Sequence, residues 1–270
     1  MSECTHDCSS CGENCSSRKI EHLKPNENSS IKKIFAVVSG KGGVGKSMVT
    51  SMLSVLTNRK GFKVGVMDAD ITGPSMCSEF GLSGKTSGCE LGIMPMTTPT
   101  GIKVISMNMF LENPSDPVVW RGSMLNGVIN QFYQDVYWDE LDYLYIDMPP
   151  GTGDIPLTVF QSLPIDGIIV VTSPQDLVSM IVEKAVKMAK LMNVPIVGLV
   201  QNLSYFECPN CKKRHFIFGE GKIEEVAKDY NIDSISYLPI DASLAETSDN
   251  GMMEWFKGDY LDSLVDKITK

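Results

Sequence analysis

Gly40-Lys41-Gly42-Gly43-Val44-Gly45-Lys46-Ser47 is the stretch that decides the fold. Its glycines let the backbone wrap so that successive N–H groups point inward at phosphate oxygens, a path most side chains would obstruct. Lys46 is placed to reach the β- and γ-phosphates and the Ser47 hydroxyl to ligate magnesium, while Val44 and Met48 fall within the same binding segment. The apolar run at residues 34–38 before the loop reads as a buried strand, and residues 47–59 after it read as a helix. Phosphates would then sit at a helix N-terminus, where unpaired N–H groups and the helix dipole favour anions. A glycine-rich turn that binds nothing is the plain alternative, and the order strand, loop, helix weighs against it.

The rest of the chain is consistent with one α/β domain. At 270 residues there is enough length to bury one substantial core. A net charge of −9 disfavours a nucleic-acid partner, whose affinity comes mainly from phosphate neutralisation by Lys and Arg. No run approaches the ~18 apolar residues of a membrane span, and the N-terminus is polar, so the expectation is a cytoplasmic protein without membrane contact. In that reducing compartment clustered cysteines read as metal ligands rather than disulfides. Residues 1–30 carry four of the eight cysteines but few apolar side chains, and read as a metal-binding tail with a linker over 16–30. Residues 31–270 form the globular domain. Strands are expected at 34–38, 63–67, 102–106, 143–146, 167–171, 196–200 and 235–238, and helices at 47–59, 121–136, 175–192, 222–230 and 254–268. This alternation predicts a mostly parallel sheet with helices on both faces, binding its ligands at the carboxyl ends of the strands.

Lys41 is not required by a phosphate loop. With it, the loop resembles the deviant Walker A (SIMIBI) ATPases, the group that includes the Mrp-type iron–sulfur carriers, nitrogenase iron protein, and the MinD and ParA positioning proteins. The resemblance implies a homodimer in which Lys41 crosses to the partner's nucleotide, much as an arginine finger neutralises developing charge. A solvated surface lysine is the simpler reading of the same residue. Asp147, at the end of the 143–146 strand, has the position and chemistry of a Walker B carboxylate holding magnesium beside Ser47. Residues 147–154, Asp-Met-Pro-Pro-Gly-Thr-Gly-Asp, resemble switch II of the Mrp-type carriers. Residues 68–75, Asp-Ala-Asp-Ile-Thr-Gly-Pro-Ser, resemble switch I, which implies that Asp70 positions the attacking water, although Thr72 stands where the family usually has tyrosine. A turn or helix-cap role is the alternative for Asp70. Asn202 resembles the family's adenine-reading asparagine, with a structural strand-end role as the alternative.

Cys208-Pro209-Asn210-Cys211 supplies two thiolates, whereas a cubane cluster or a structural zinc generally needs four ligands. A homodimer would bring four together across its two-fold axis. In this position the pair resembles that of the Mrp-type carriers, which implies a bridging [4Fe–4S] cluster. A zinc site using Cys208, Cys211 and His215 stays open. Cys4, Cys8, Cys11 and Cys15 are four ligands within twelve residues, with His6 among them, and suit either a second [4Fe–4S] cluster or zinc. The eukaryotic scaffold branch of the family has an N-terminal four-cysteine cluster of wider spacing. Cys77 and Cys89 read as small buried or half-buried side chains.

The segment Trp120-Arg121-Gly122-Ser123-Met124 also resembles the family, and Met124, Leu125, Val128, Ile129 and Phe132 recur at helical spacing for packing. Together these resemblances imply an ATP-binding, slowly hydrolysing ATPase, with Lys41, Lys46 and Asp70 as its catalytic set. It would carry a [4Fe–4S] cluster between cluster donors and apo-proteins. Two other classes share the loop: a MinD- or ParA-like positioning ATPase, and an electron-transfer ATPase resembling nitrogenase iron protein. The C-terminal stripe of Trp255, Phe256, Tyr260, Leu261, Leu264, Val265 and Ile268 bears on the first. A membrane-surface helix wants a basic polar face, yet residues 254–270 carry three lysines against four acids, so docking on the domain itself is expected.

Overall fold

Strand β1 (Ser30–Ser39) is buried without interruption from Ile34 onward, the pattern of a strand covered on both faces. A computed structural model of the chain describes residues 22–113, 116, 122–151, 153–175 and 178–270. β1 lies between β7 (Glu140–Asp147) and β8 (Gly167–Thr172), and both pairings are parallel. Outward on one side come β2 (Val64–Asp68), β6 (Lys103–Ile105) and the short antiparallel β5 (Met96–Thr97). On the other side β8 pairs with β9 (Ile196–Glu207), which pairs in turn with the edge strand β11 (Ile235–Pro239) and with β10 (Arg214–His215). Among the described residues this makes one nine-stranded, mostly parallel sheet, as the alternating pattern predicts, with β3 (Gly88–Cys89) and β4 (Gly92–Ile93) as a separate small hairpin.

Helix α1 (Lys46–Arg59) packs on β1, β2, β7 and β8, burying Val49, Met52, Leu53 and Leu56. Further along the chain, α2 (Met76–Glu79) packs against α1, and α3 (Ser123–Gln134) against α4 (Asp154–Ser162). Helix α5 (Val178–Met192) covers β8, and α6 (Ile223–Asp229) covers β9 and β11. The α3 stripe packs through Ile129 and Phe132, but Met124 at its start is 58% exposed.

Two segments differ from expectation. Residues 23–29, read as linker, lie against the domain. Leu23 N–H donates to the Ser162 carbonyl at 2.7 Å and the Asn26 amide to the Leu91 carbonyl at 3.0 Å. The single helix expected over 254–268 is instead a 3-10 turn at 253–255 and α8 (Asp262–Ile268), after α7 (Ala242–Asp249). Gly258 in the sequence Lys257-Gly258-Asp259 breaks the continuity. The apolar stripe still docks inward: Phe256, Leu261, Leu264 and Val265 are buried, and only Trp255 stands out. Among the described residues no helix is long and apolar enough to cross a membrane.

Candidate functional site

The carboxyl ends of β1, β2 and β7 converge on the loop that precedes α1. Gly43 and Gly45 adopt φ of 79° and 78°, left-handed values that disfavour side chains, so the turn depends on them. Gly45 has a second reason to be glycine: a Cβ there would lie 2.3 Å from Asn202 Nδ2. α1 begins without a side-chain cap, leaving its first N–H groups directed at the loop mouth. Gly40, Lys41 and Gly42 form the outer wall, where the Lys41 carbonyl accepts from Ser39 Oγ at 3.0 Å.

Lys46 and Asp147 are the buried heart of the site. Lys46 Nζ lies 2.6 Å from Asp147 Oδ1, and Ser47 Oγ donates to Asp147 Oδ2 at 2.6 Å. Thr50, one turn into α1, donates to the same Oδ1 at 2.8 Å. This residue was missed in the sequence. Its only signal is its position one helical turn beyond Lys46, on the same face of α1. A fully buried carboxylate paired with a serine hydroxyl is a hard-oxygen donor set that fits magnesium.

β2 runs beside β7 with Asp68 opposite Asp147. Asp68 is fully buried and accepts from Ser75 N–H, Met76 N–H and Ser106 Oγ at 3.0 to 3.1 Å, so it anchors the start of α2. Burial, and then the Asp147 charge, push its carboxyl up to about 7. Asp70 is half-buried, and desolvation likewise raises its pKa while Lys46 opposes the shift. It does not cap α2. Its carboxylate takes Thr72 Oγ1 at 3.4 Å and its carbonyl takes Gly73 N–H at 3.1 Å, closing a turn at the mouth of the site. From the switch II segment, Gly151 N–H donates to the Ser39 carbonyl at 2.8 Å, binding that loop to the base of the phosphate loop. Thr152 lies outside the described residues.

Asn202 is reached from β9. Its Nδ2 donates to the Val44 carbonyl at 2.9 Å and its Oδ1 accepts Leu203 N–H at 2.8 Å, with the side chain 3% exposed. Asn202 thus ties β9 to the backbone of the phosphate loop. Leu203 follows at φ 55°, a rare conformation for a bulky residue, where the pairing of β9 with β11 slips register.

Beyond this irregularity β9 meets β11 once more at Tyr205 and Pro239 and then turns back into β10, and the turn is Cys208-Pro209-Asn210-Cys211. Lys212 N–H closes it onto the Cys208 carbonyl at 2.9 Å, and Cys208 N–H onto the Lys213 carbonyl at 3.0 Å. Cys208 is half-buried and Cys211 exposed. The backbone N–H groups of Cys211 and Asn210, and then the Cys211 thiol, hold the Cys208 thiol below the ordinary range, which prepares it as a thiolate. His215 is exposed, and among the described residues no group of three His, Cys, Asp or Glu is arranged to hold a metal ion. Cys77 is buried, its thiol pushed up to about 11 by desolvation, whereas Cys89 is exposed rather than half-buried. Cys4, His6, Cys8, Cys11 and Cys15 lie outside the described residues, as do Trp120 and Arg121.

Comparison with known proteins agrees with this geometry. Residues 30–269 match the family described as the NUBPL iron-transfer P-loop NTPase, within the ParA group. An iron–sulfur cluster carrier protein of Clostridium perfringens is 48% identical over 248 residues, covering 89% of this chain and 87% of that protein. Among solved structures, a nucleotide-binding protein of Archaeoglobus fulgidus in complex with ADP superposes with a TM-score of 0.78 at 45% identity, covering 86% and 91% of the two chains. The cell-division ATPase MinD of Pyrococcus furiosus, at 19% identity and a TM-score of 0.61 over 88% of this chain and 98% of its own, shares the fold. The chain belongs to the iron-transfer P-loop NTPases, the family of the iron–sulfur cluster carriers.

Proposed function

We propose that this protein is an ATP-binding, slowly hydrolysing carrier that holds a [4Fe–4S] cluster between two copies of the chain and delivers it to apo-proteins. The observation that carries the reading is the Cys208–Cys211 turn, raised beyond the sheet on the β9–β10 hairpin with one thiol favoured as thiolate. Two such turns facing each other supply the four thiolates a cubane cluster takes, and a bound cargo ringed by short exposed loops can leave again. Phe206, Phe216, Ile217 and Phe218 stand exposed around the turn, apolar surface suited to an opposing copy.

In the nucleotide site, loop N–H groups and Lys46 bind the β- and γ-phosphates, and Ser47 with Asp147 would hold magnesium, which neutralises charge on the phosphates. Asp70, at the mouth, orients the attacking water, and Lys41 of the facing copy completes charge neutralisation. Positioning and electrostatics supply nearly all the catalysis in phosphoryl transfer, so the isolated chain turns over slowly. Asn202 joins the phosphate loop to β9, whose last residue adjoins Cys208, a direct path by which nucleotide state reaches the cargo. The N-terminal cysteines hold a second cluster or zinc. The membrane-positioning alternative loses most of its docking face, because Phe256, Leu261, Leu264 and Val265 of the C-terminal stripe are buried in the domain.

Replacing Cys208 and Cys211 by alanine tests the reading. Transfer of cluster to an apo-ferredoxin should vanish while ATP binding persists, and undiminished transfer would refute it.

A further inference from the structure

A groove runs from the cysteine turn along the outer edge of the sheet, and apart from Phe206 and Phe216 on its rim no step above uses its lining. Strand β11 pairs with β9 alone among the described residues, so one side of its backbone lacks a strand partner. Over Ile235, Ser236 and Tyr237 lies an open cavity of about 600 Å³, bounded by the start of α6 and by Tyr260 of the segment before α8. A second cavity of about 390 Å³ shares Tyr205, Arg214 and Tyr260 with it and reaches Pro209 within the cysteine turn. An unpaired edge beneath an elongated groove is the geometry in which an added strand gains main-chain hydrogen bonds.

Three features say what such a strand would carry. The Arg214 guanidinium carbon lies over the Tyr205 ring, 4.3 Å from its centroid, and among the described residues no carboxylate comes within 4.0 Å of its nitrogens. Its planar donor fork is therefore held in place for a carboxylate. Lys212 and Lys213 adjoin it, a basic run beside the cysteines in a chain whose net charge is −9. At the opposite wall Glu220, Glu224 and Glu225 line the groove, with Glu224 held by Tyr237 Oη at 2.8 Å. Ser236 Oγ, on a residue only 3% exposed, lines the cavity without a hydrogen-bond partner. Toward the cysteine turn Arg214 and Lys212 share the lining with Glu207 and Asp241, toward α6 Glu220, Glu224 and Glu225 outnumber Lys222, and the rings of Tyr205, Tyr237 and Tyr260 lie between.

We infer that this groove binds an extended peptide segment of a recipient protein, added to the β11 edge with acidic residues on Arg214 and a basic residue at the α6 wall. The inference rests on the carrier reading for the identity of the partner and names the surface that would hold a recipient beside the cargo.

The probe is a fluorescein-labelled peptide, Glu-Phe-Glu-Val-Thr-Val-Lys, tested with its sequence-reversed form by fluorescence anisotropy on the full-length protein without iron. One of the two orientations should bind, and backbone N-methylation should abolish its binding. Arg214→Glu should weaken it by at least about tenfold while ATP binding stays unchanged. A version with every charge reversed should not bind. Equal binding of the charge-reversed peptide, or an unchanged affinity in Arg214→Glu, would overturn the inference, as would binding of neither orientation. Cys208→Ala, unable to hold cargo, should bind the probe like the parent chain, so failure of the carrier reading leaves this measurement intact.

Discussion

Lys46 Nζ stands 2.6 Å from Asp147 Oδ1 with both side chains withdrawn from solvent, so the lysine proposed to bind phosphate and the carboxylate proposed to hold magnesium keep each other in place. Removing one member of such a buried pair typically costs about 3–5 kcal/mol, because the other charge is left uncompensated. Lys46→Ala should therefore lower stability in urea denaturation and abolish ATP binding. Asp147→Asn keeps the shape and the Ser47 and Thr50 contacts. In calorimetric titration it should bind ATP equally with and without magnesium, whereas the parent chain binds more tightly with it.

Gly45 and Asn202 should be coupled. Gly45→Ala forces a side chain into φ 78° and against Asn202 Nδ2, so a loss of at least about 1 kcal/mol is expected together with weakened ATP binding. Adding Asn202→Ala removes the clash but not the backbone strain. The double variant should then be less destabilised than the sum of the singles, by roughly 0.5 kcal/mol or more, in a double-mutant denaturation cycle.

Glu79 should give the protein a distinctive pH dependence. It is buried between Ser51 and Ser248, with Asp147 and Asp249 nearby, and desolvation raises its carboxyl from 4.5 to about 7. The folded state therefore binds a proton more tightly than the unfolded state does. The stability this contributes is fully present below 4.5, falls as pH rises toward 7, and is gone above, a span of ~3 kcal/mol. Glu79→Gln should flatten that slope, gaining on the parent chain as pH rises in parallel urea titrations at pH 5 and pH 8.

Cys208 should stay reactive at lower pH than an unperturbed thiol, because backbone N–H groups favour its thiolate. The rate of iodoacetamide alkylation at Cys208, followed by peptide mass spectrometry across pH, checks this against a model thiol.

The sheet core was legible because its central strands are continuous apolar runs closed by Asp68 and Asp147, and the loop at 40–47 fixes which ends bind ligand. The helix α4 was missed because Pro156 sits in its first turn, where proline is tolerated in a helix but reads as a break in sequence. The two-residue strands β3, β4 and β5 are too short to show a period. Asn202 and Thr50 show the limit at the site. Their residue types admit several roles, and only the fold brings one to the Val44 carbonyl and the other to Asp147.

Iron content and Mössbauer spectra bear most directly on the shared cluster. They would be recorded after anaerobic reconstitution of the full chain carrying Cys4→Ser, Cys8→Ser, Cys11→Ser and Cys15→Ser. One [4Fe–4S] cluster for every two chains, lost when Cys208 or Cys211 is also replaced, is the expected result. A cluster that survives those replacements, or iron bound one atom per chain without sulfide, would contradict it.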